Sequence, residues 1–174
     1  LLPTIKIWDV QVVGEARALV GAPSKKLTAE AVAEALAFFI GEWEGKGQVT
    51  RAGKEPVGIE EKVIYRWKEK GKSIGYTRRE ITGGVQRTVG SFEKEYDLAS
   101  GLFVTRNSKG EKTFQSYDRS TRTFHITAFF PELPGDGEVK AETKLTGSEK
   151  IVTYMKGYQD GELVVTREIE FRRK

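Results

Sequence analysis

Arginine and tyrosine side chains recur at every second position of several strand-like stretches, on faces that also carry apolar residues. Tyr76 and Arg78 follow Ile74 at this spacing, and Arg87 lies between two valines. Alternate residues of a strand share a face, and an apolar wall with a few convergent polar groups suits an amphipathic acid. A bulge would turn some of these side chains outward. The candidate ligand-binding residues are Tyr65, Trp67, Tyr76, Arg78, Arg87, Phe114, Tyr154 and Arg167.

Residues that usually perform catalysis or bind metals are scarce. The chain has no cysteine, which excludes disulfides, zinc–thiolate sites and cysteine nucleophiles. Its single histidine, His125, alternates with Phe124 and Ile126 and is expected to face solvent. One histidine is too few for a histidine-based metal site or a catalytic triad. Most acidic residues stand beside lysines or arginines, which indicates solvated surface rather than paired catalytic carboxylates. The sequence therefore predicts no catalytic residue and no metal site.

The charge distribution argues against a nucleic-acid partner. The 29 Lys and Arg residues are balanced by 25 Asp and Glu residues, for a net charge of +4. Acidic and basic residues alternate, as in 78–80 and 93–95, whereas nucleic-acid binders concentrate positive charge on one surface. No apolar run reaches the ~18 residues typical of a membrane helix. We therefore expect neither a nucleic-acid partner nor a membrane span.

The only convincing helical pattern lies directly before a tryptophan–glycine motif. Residues 28–39 carry an apolar stripe at helical spacing, and Thr28 is a good N-cap. The stripe must pack against another element. Tryptophan offers a large apolar surface, and glycines in a strand allow a bend or a close approach of another backbone. The motif consists of Gly41, Trp43, Gly45 and Gly47.

Ten strand-like runs follow the helix, separated by short turn sequences. Short connections require neighbouring strands to be antiparallel and adjacent in sequence order. No helical pattern intervenes, which predicts an all-β domain with a meander topology. The predicted strands are 42–51, 58–67, 73–82, 85–96, 102–106, 111–118, 123–130, 138–145, 149–157 and 162–172.

Long meandering strands favour closure, because a closed barrel has no exposed edges. We predict a single antiparallel up-and-down barrel over residues 28–174, with the helix closing one end and a cavity inside. A two-sheet sandwich is the alternative architecture. Residues 1–27 form an extension of uncertain structure, since they match both helical and strand spacing. The longest loop, 131–137, is the predicted lip of the open end.

A helix leading into Gly41-x-Trp43, followed by about ten meandering strands, resembles the calycin superfamily of lipocalins and fatty-acid-binding proteins. The longer motif, Gly41-x-Trp43-x-Gly45-x-Gly47, is similar to nitrobindin-like barrels and to bacterial lipocalin-like domains of unassigned function. The hairpin at 117–124 also resembles those domains. In calycins the motif tryptophan lies at the closed end of the barrel, and a basic residue of the last strand packs across it.

Arg167 is the anomaly of the last strand, because it shares a face with four apolar residues. A buried arginine requires a partner. Three remain open: the ring of Trp43 through a cation–π contact, the carboxylate of Glu61, and the carboxylate of a bound ligand. The last resembles what fatty-acid-binding proteins do with interior arginines.

The resemblance to nitrobindins raises the question of haem. These proteins hold haem through a histidine on a late strand, but residues 162–172 contain none. No haem and no other cofactor is therefore expected.

The leading hypothesis is non-catalytic binding or carriage of a small hydrophobic or amphipathic molecule, including acidic ones. An enzyme of the isomerase or cyclase kind in the same cavity, and an interaction domain with a packed barrel, are the alternatives.

Overall fold

The computed structural model describes residues 26–130 and 137–174, without the side chains of 128–130. Every predicted element is present, with bounds that differ from the prediction by about two residues at most. The elements are α1 (Ala29–Ala37), β1 (Gly41–Arg51), β2 (Val57–Glu69), β3 (Ser73–Thr82), β4 (Val85–Asp97), β5 (Leu102–Asn107), β6 (Lys112–Asp118), β7 (Thr123–Phe130), β8 (Gly137–Thr146), β9 (Lys150–Gln159) and β10 (Glu162–Arg173). The predicted extension 1–27 and lip 131–137 lie almost entirely outside the described residues.

The ten strands form one closed antiparallel barrel in up-and-down order. Each strand pairs with its neighbours in sequence, and β1 pairs with β10 to complete the ring. The predicted fold class is confirmed, and the two-sheet sandwich is wrong. Pairing of the first and last strands removes the edges that an open meander would expose.

The glycines of the motif permit the pairing that closes the barrel. A Cβ atom at Gly47 would lie 1.8 Å from the carbonyl oxygen of Glu168, and one at Gly45 would lie 2.5 Å from the ring of Phe171. Both distances are far below van der Waals contact. The predicted close approach of another backbone therefore occurs where β1 meets β10, and only glycine fits there.

Helix α1 covers the end of the barrel at which β1 begins, here called the closed end. The Thr28 hydroxyl caps the helix by accepting a hydrogen bond from the Ala31 amide at 3.2 Å. Val32, Leu36 and Phe39 are buried in the barrel core. No described helix is long and apolar enough to cross a membrane.

Arg173 is the residue that packs across Trp43 at the closed end. Its guanidinium carbon lies 4.5 Å from the centre of the indole. It also donates to the carbonyl oxygens of Phe38, at 2.8 Å, and Ile40. The suggestion that Arg167 fills this role is wrong, because the register pairs Trp43 with Arg173 and places Arg167 opposite Val49.

Candidate functional site

The strand register determines which predicted site residues face the barrel interior. Tyr65 pairs with Tyr76, Arg78 with Val63, Arg87 with Glu80, and Arg167 with Val49, all on the inner face. Trp67 also follows this parity, but it packs at the closed end beside a bulge in β2.

Phe114 and Tyr154 lie on the outer face, so their assignment to the interior is wrong. Phe114 pairs with Val104, while the adjacent residue Gln115 turns inward opposite Phe103. Tyr154 is 37% exposed. Its β9 neighbour Met155 pairs with Arg167 and is the inward residue. In both strands the aromatic residue was predicted to face inward. The strand register shows instead that the residue directly after it in the chain faces inward.

Two buried glutamates and three arginines meet on the inner face and form an interior charge cluster. Glu61 accepts hydrogen bonds from Arg78, at 2.6 Å and 3.1 Å, and from Arg167. Glu80 lies 3.5 Å from Arg78 and 3.8 Å from both Arg87 and Arg167. Of the three open partners for Arg167, the structure thus shows Glu61. Three guanidinium groups against two carboxylates leave this cluster with an excess of positive charge.

Ion pairs and hydrogen bonds within the interior charge cluster offset part of the free-energy cost of burying its charged groups. Burial lowers the pKa of Arg167 to about 10, so this side chain remains protonated near neutral pH. Burial also lowers the pKa of Arg78, while the nearby carboxylate of Glu80 acts in the opposite direction. The Thr82 hydroxyl donates a hydrogen bond to Glu80 at 2.9 Å. Breaking a buried pair by removing one partner is strongly destabilising. The cluster is therefore a rigid, positively charged patch on the barrel wall.

Arg87 is the member of the cluster that is least satisfied by the described residues. Its side chain is 35% exposed, and its Nε lies 3.8 Å from Glu80, beyond hydrogen-bond distance. Nε and one terminal nitrogen are nevertheless out of reach of solvent and make no hydrogen bond to a described residue. Buried donors of this kind normally have a partner. Arg87 is thus the group best placed to bind an anion.

A row of aromatic rings runs along the inner face of β2, β3 and β4. The ring centres lie 5.2 Å apart for Phe39 and Tyr65, 4.8 Å for Tyr65 and Tyr76, and 5.0 Å for Tyr76 and Phe92. Burial raises the pKa of Tyr76 to about 12 and raises the pKa of Tyr65 further, so both hydroxyls stay protonated. The row provides an apolar wall with hydroxyl groups.

Inward-facing side chains in the middle of the barrel keep part of their surface accessible. Arg78 retains 23% of its side-chain surface, although it points into a closed ring of strands. A filled interior would leave no such surface. The described side chains therefore leave this region unfilled. The half-buried residues that line it include Tyr65, Tyr76, Arg78, Phe92, Thr113, Ile126, Ala141, Thr143, Thr153 and Met155.

Lys94 is a site residue that the sequence interpretation missed. It pairs with Ile74 and Thr105 on the inner face and is only 7% exposed. Its ammonium lies 4.1 Å from the ring centre of Phe124 and 5.0 Å from that of Phe39. Burial lowers its pKa to about 7. The run 93–95 resembled solvated surface, but strict alternation from Phe92 would have turned Lys94 inward.

The single histidine lies on the outer face, as its alternation with Phe124 predicts. Its Nδ1 is 3.3 Å from a carboxylate oxygen of Glu142 on β8. His125 therefore has no part in the interior site.

Comparison with known proteins supports the fold. The chain matches no protein-family model and no curated protein sequence. Among solved structures, it is similar to the S-type phycobiliprotein lyase CPES from Guillardia theta, with 9% identity over 81% of this chain and 91% of that one and a TM-score of 0.62. It is also similar to Rv2717c from M. tuberculosis, with 12% identity over 86% and 99% and a TM-score of 0.58. The fold is calycin-like. Identities this low establish the shared barrel and nothing about its contents.

Proposed function

We propose that the protein binds a small hydrophobic or amphipathic molecule inside its barrel, without transforming it. The observation that carries this proposal is the accessible surface of inward-facing side chains such as Arg78, in the middle of a closed ring of strands. Ligand pockets are concave and mostly apolar, with a few polar groups that orient the ligand. The interior combines these features.

The chemistry of the wall favours a ligand with an acidic end. The aromatic row provides an apolar surface for the body of the ligand, whereas the interior charge cluster carries excess positive charge. Arg167 is already held by Glu61, so the proposal places the acidic group at Arg87, beside Arg78. A guanidinium is well suited to a carboxylate because it can donate two parallel hydrogen bonds.

A calycin-like fold is compatible with carriage of the lipocalin or fatty-acid-binding kind, and we extend the proposal to that class. The relative from Guillardia theta is a phycobiliprotein lyase, but at this identity its substrate supports no choice of ligand here. The interior arginines alone support an acidic ligand.

Binding of decanoate and decanol, measured by native mass spectrometry and thermal shift, tests the proposal. We expect decanoate to bind and to raise the melting temperature more than decanol. Arg87→Gln should weaken decanoate binding by roughly 10- to 100-fold, since a hydrogen bond to a charged group contributes about 1.5–3 kcal/mol. Arg79→Gln, on the exposed outer face of β3, is the matched control and should bind normally.

Two results would contradict the proposal. Failure of both probes to bind would indicate a packed barrel with an interaction role. Equal weakening by Arg87→Gln and Arg79→Gln would place binding outside the interior.

A further inference from the structure

Lys94 lies at the boundary between the packed closed end and the unfilled part of the barrel. On one side of its ammonium are the rings of Phe39 and Phe124. In the direction of the open end, the next inward residues on β3 and β4 are Tyr76 and Phe92. A ligand lying along the aromatic row would therefore have one end close to this amine.

The surroundings of Lys94 are unusual for a lysine. None of the described carboxylates lies within ion-pair distance of its nitrogen. On β3 and β4 the neighbouring inward titratable side chains are the phenols of Tyr76 and Tyr96, and Tyr96 already accepts a hydrogen bond from the Leu27 amide at 2.9 Å. The phenol rings of Tyr65 on β2 and Tyr117 on β6 pack against Phe39 and Phe124, the two rings that the ammonium contacts. A buried lysine without an anion destabilises the fold, and an apolar side chain would fill the same space at lower cost. This suggests a role for the amine itself.

We propose that Lys94 captures the carbonyl group of an aldehyde or ketone ligand as a reversible imine. This rests on the proposed function, because it requires a ligand inside the barrel. Lysine amines are known nucleophiles toward carbonyl groups when a hydrophobic pocket desolvates them. The pKa of about 7 supports the proposal, since a large fraction of the amine is neutral near that pH.

The reaction needs no oxidant, reductant or metal. The neutral amine nitrogen attacks the carbonyl carbon and forms a C–N bond, which gives a carbinolamine. The carbonyl oxygen then leaves as water with the two amine protons, and a C=N double bond remains. Water reverses the reaction, and the apolar surroundings of Lys94 slow that reversal by limiting access of water.

Reductive trapping with decanal and cyanoborohydride tests the proposal, with decanoate as the non-covalent probe. We expect one reduced adduct per chain by intact mass, and peptide mapping should place it on Lys94. The labelling rate should rise as the pH increases through about 7. Lys94→Met and Lys94→Arg should both lose the adduct, whereas Lys144→Met, at an exposed position on β8, should keep it. Excess decanoate should protect the wild-type protein.

The outcomes separate this proposal from the proposed function. If decanoate binds but decanal labels exposed lysines to the same extent in Lys94→Met, the imine is refuted and the interior binding stands. If neither decanoate nor decanol binds and decanal is not trapped on Lys94, both proposals fail. Lys94→Arg keeps the positive charge but cannot form the imine. If decanal is not trapped, and decanoate binding is lost in Lys94→Met but kept in Lys94→Arg, then Lys94 binds anions through its charge instead. Protection of the wild-type protein by decanoate gives an answer even if a variant fails to fold.

Discussion

Replacing Lys94 by methionine is predicted to stabilise the protein, and by an amount that depends on pH. Burial lowers the Lys94 pKa from its ordinary 10.5 to about 7, which corresponds to ~5 kcal/mol of unfavourable free energy for the charged form. The contacts with the Phe39 and Phe124 rings stabilise the ammonium and offset ~1–2 kcal/mol of that cost. Methionine has a similar length and no charge. We therefore expect Lys94→Met to raise the free energy of unfolding by ~3–4 kcal/mol below pH 7.

The pH dependence follows from the lowered pKa. Between about 7 and 10.5 the unfolded chain binds a proton at Lys94 that the folded protein has released. Stability of the wild-type protein therefore rises with pH across that window. The penalty is fully present below about 7 and is lost toward 10.5, so the advantage of Lys94→Met should shrink as the pH increases.

Guanidinium unfolding followed by tryptophan fluorescence, at one pH below 7 and one near 10, measures the effect on both proteins. Lys144→Met is the control and should change stability by less than ~0.5 kcal/mol at either pH. If Lys94→Met is no more stable than the wild-type protein at the lower pH, or if its advantage is the same at both pH values, then Lys94 is not a buried cation.

Three further predictions concern the walls of the barrel and can be tested in the same unfolding assay. Glu61→Gln should destabilise the fold by ~3–5 kcal/mol, because it removes one of the two carboxylates of the interior charge cluster. The exposed Glu60→Gln should have little effect, and equal losses would show that the cluster does not contribute. Gly47→Ala should prevent folding or lower the melting temperature sharply, since its Cβ would overlap the backbone of β10; a mild effect would contradict the β1–β10 register. Arg173→Gln should cost about 1–3 kcal/mol through loss of its hydrogen bonds to two carbonyl oxygens and its contact with the indole; normal stability would argue against its role at the closed end.

Local patterns in the sequence were sufficient to predict the elements and their order. Turn residues at regular intervals and alternating apolar positions indicate strands wherever they occur, because these signals act between residues close in the chain. Thr28 and the stripe that includes Val32 and Leu36 likewise identify the helix. Short connections then left the meander as the favoured topology.

The candidate site was predicted only in part. Tyr65, Tyr76, Arg78 and Arg87 were assigned to the inner face and lie there. Phe114 and Tyr154 were also assigned to the inner face but lie on the outer one. An apolar or aromatic residue identifies a strand but does not identify which of its two faces is buried. Lys94 was missed because it stands between two glutamates, so the run 93–95 has the composition of an exposed surface although Lys94 itself faces inward.

The sequence by itself determined a helix followed by ten antiparallel strands and the need for glycine where two of them meet closely. Only the tertiary structure decided that Arg173 covers Trp43, that Arg167 pairs with Glu61, and that a lysine lies among aromatic rings. Hydrophobic period and turn chemistry are short-range properties. Pairing between the first and last strands joins residues more than a hundred positions apart, and the partner of a buried charge follows from that register.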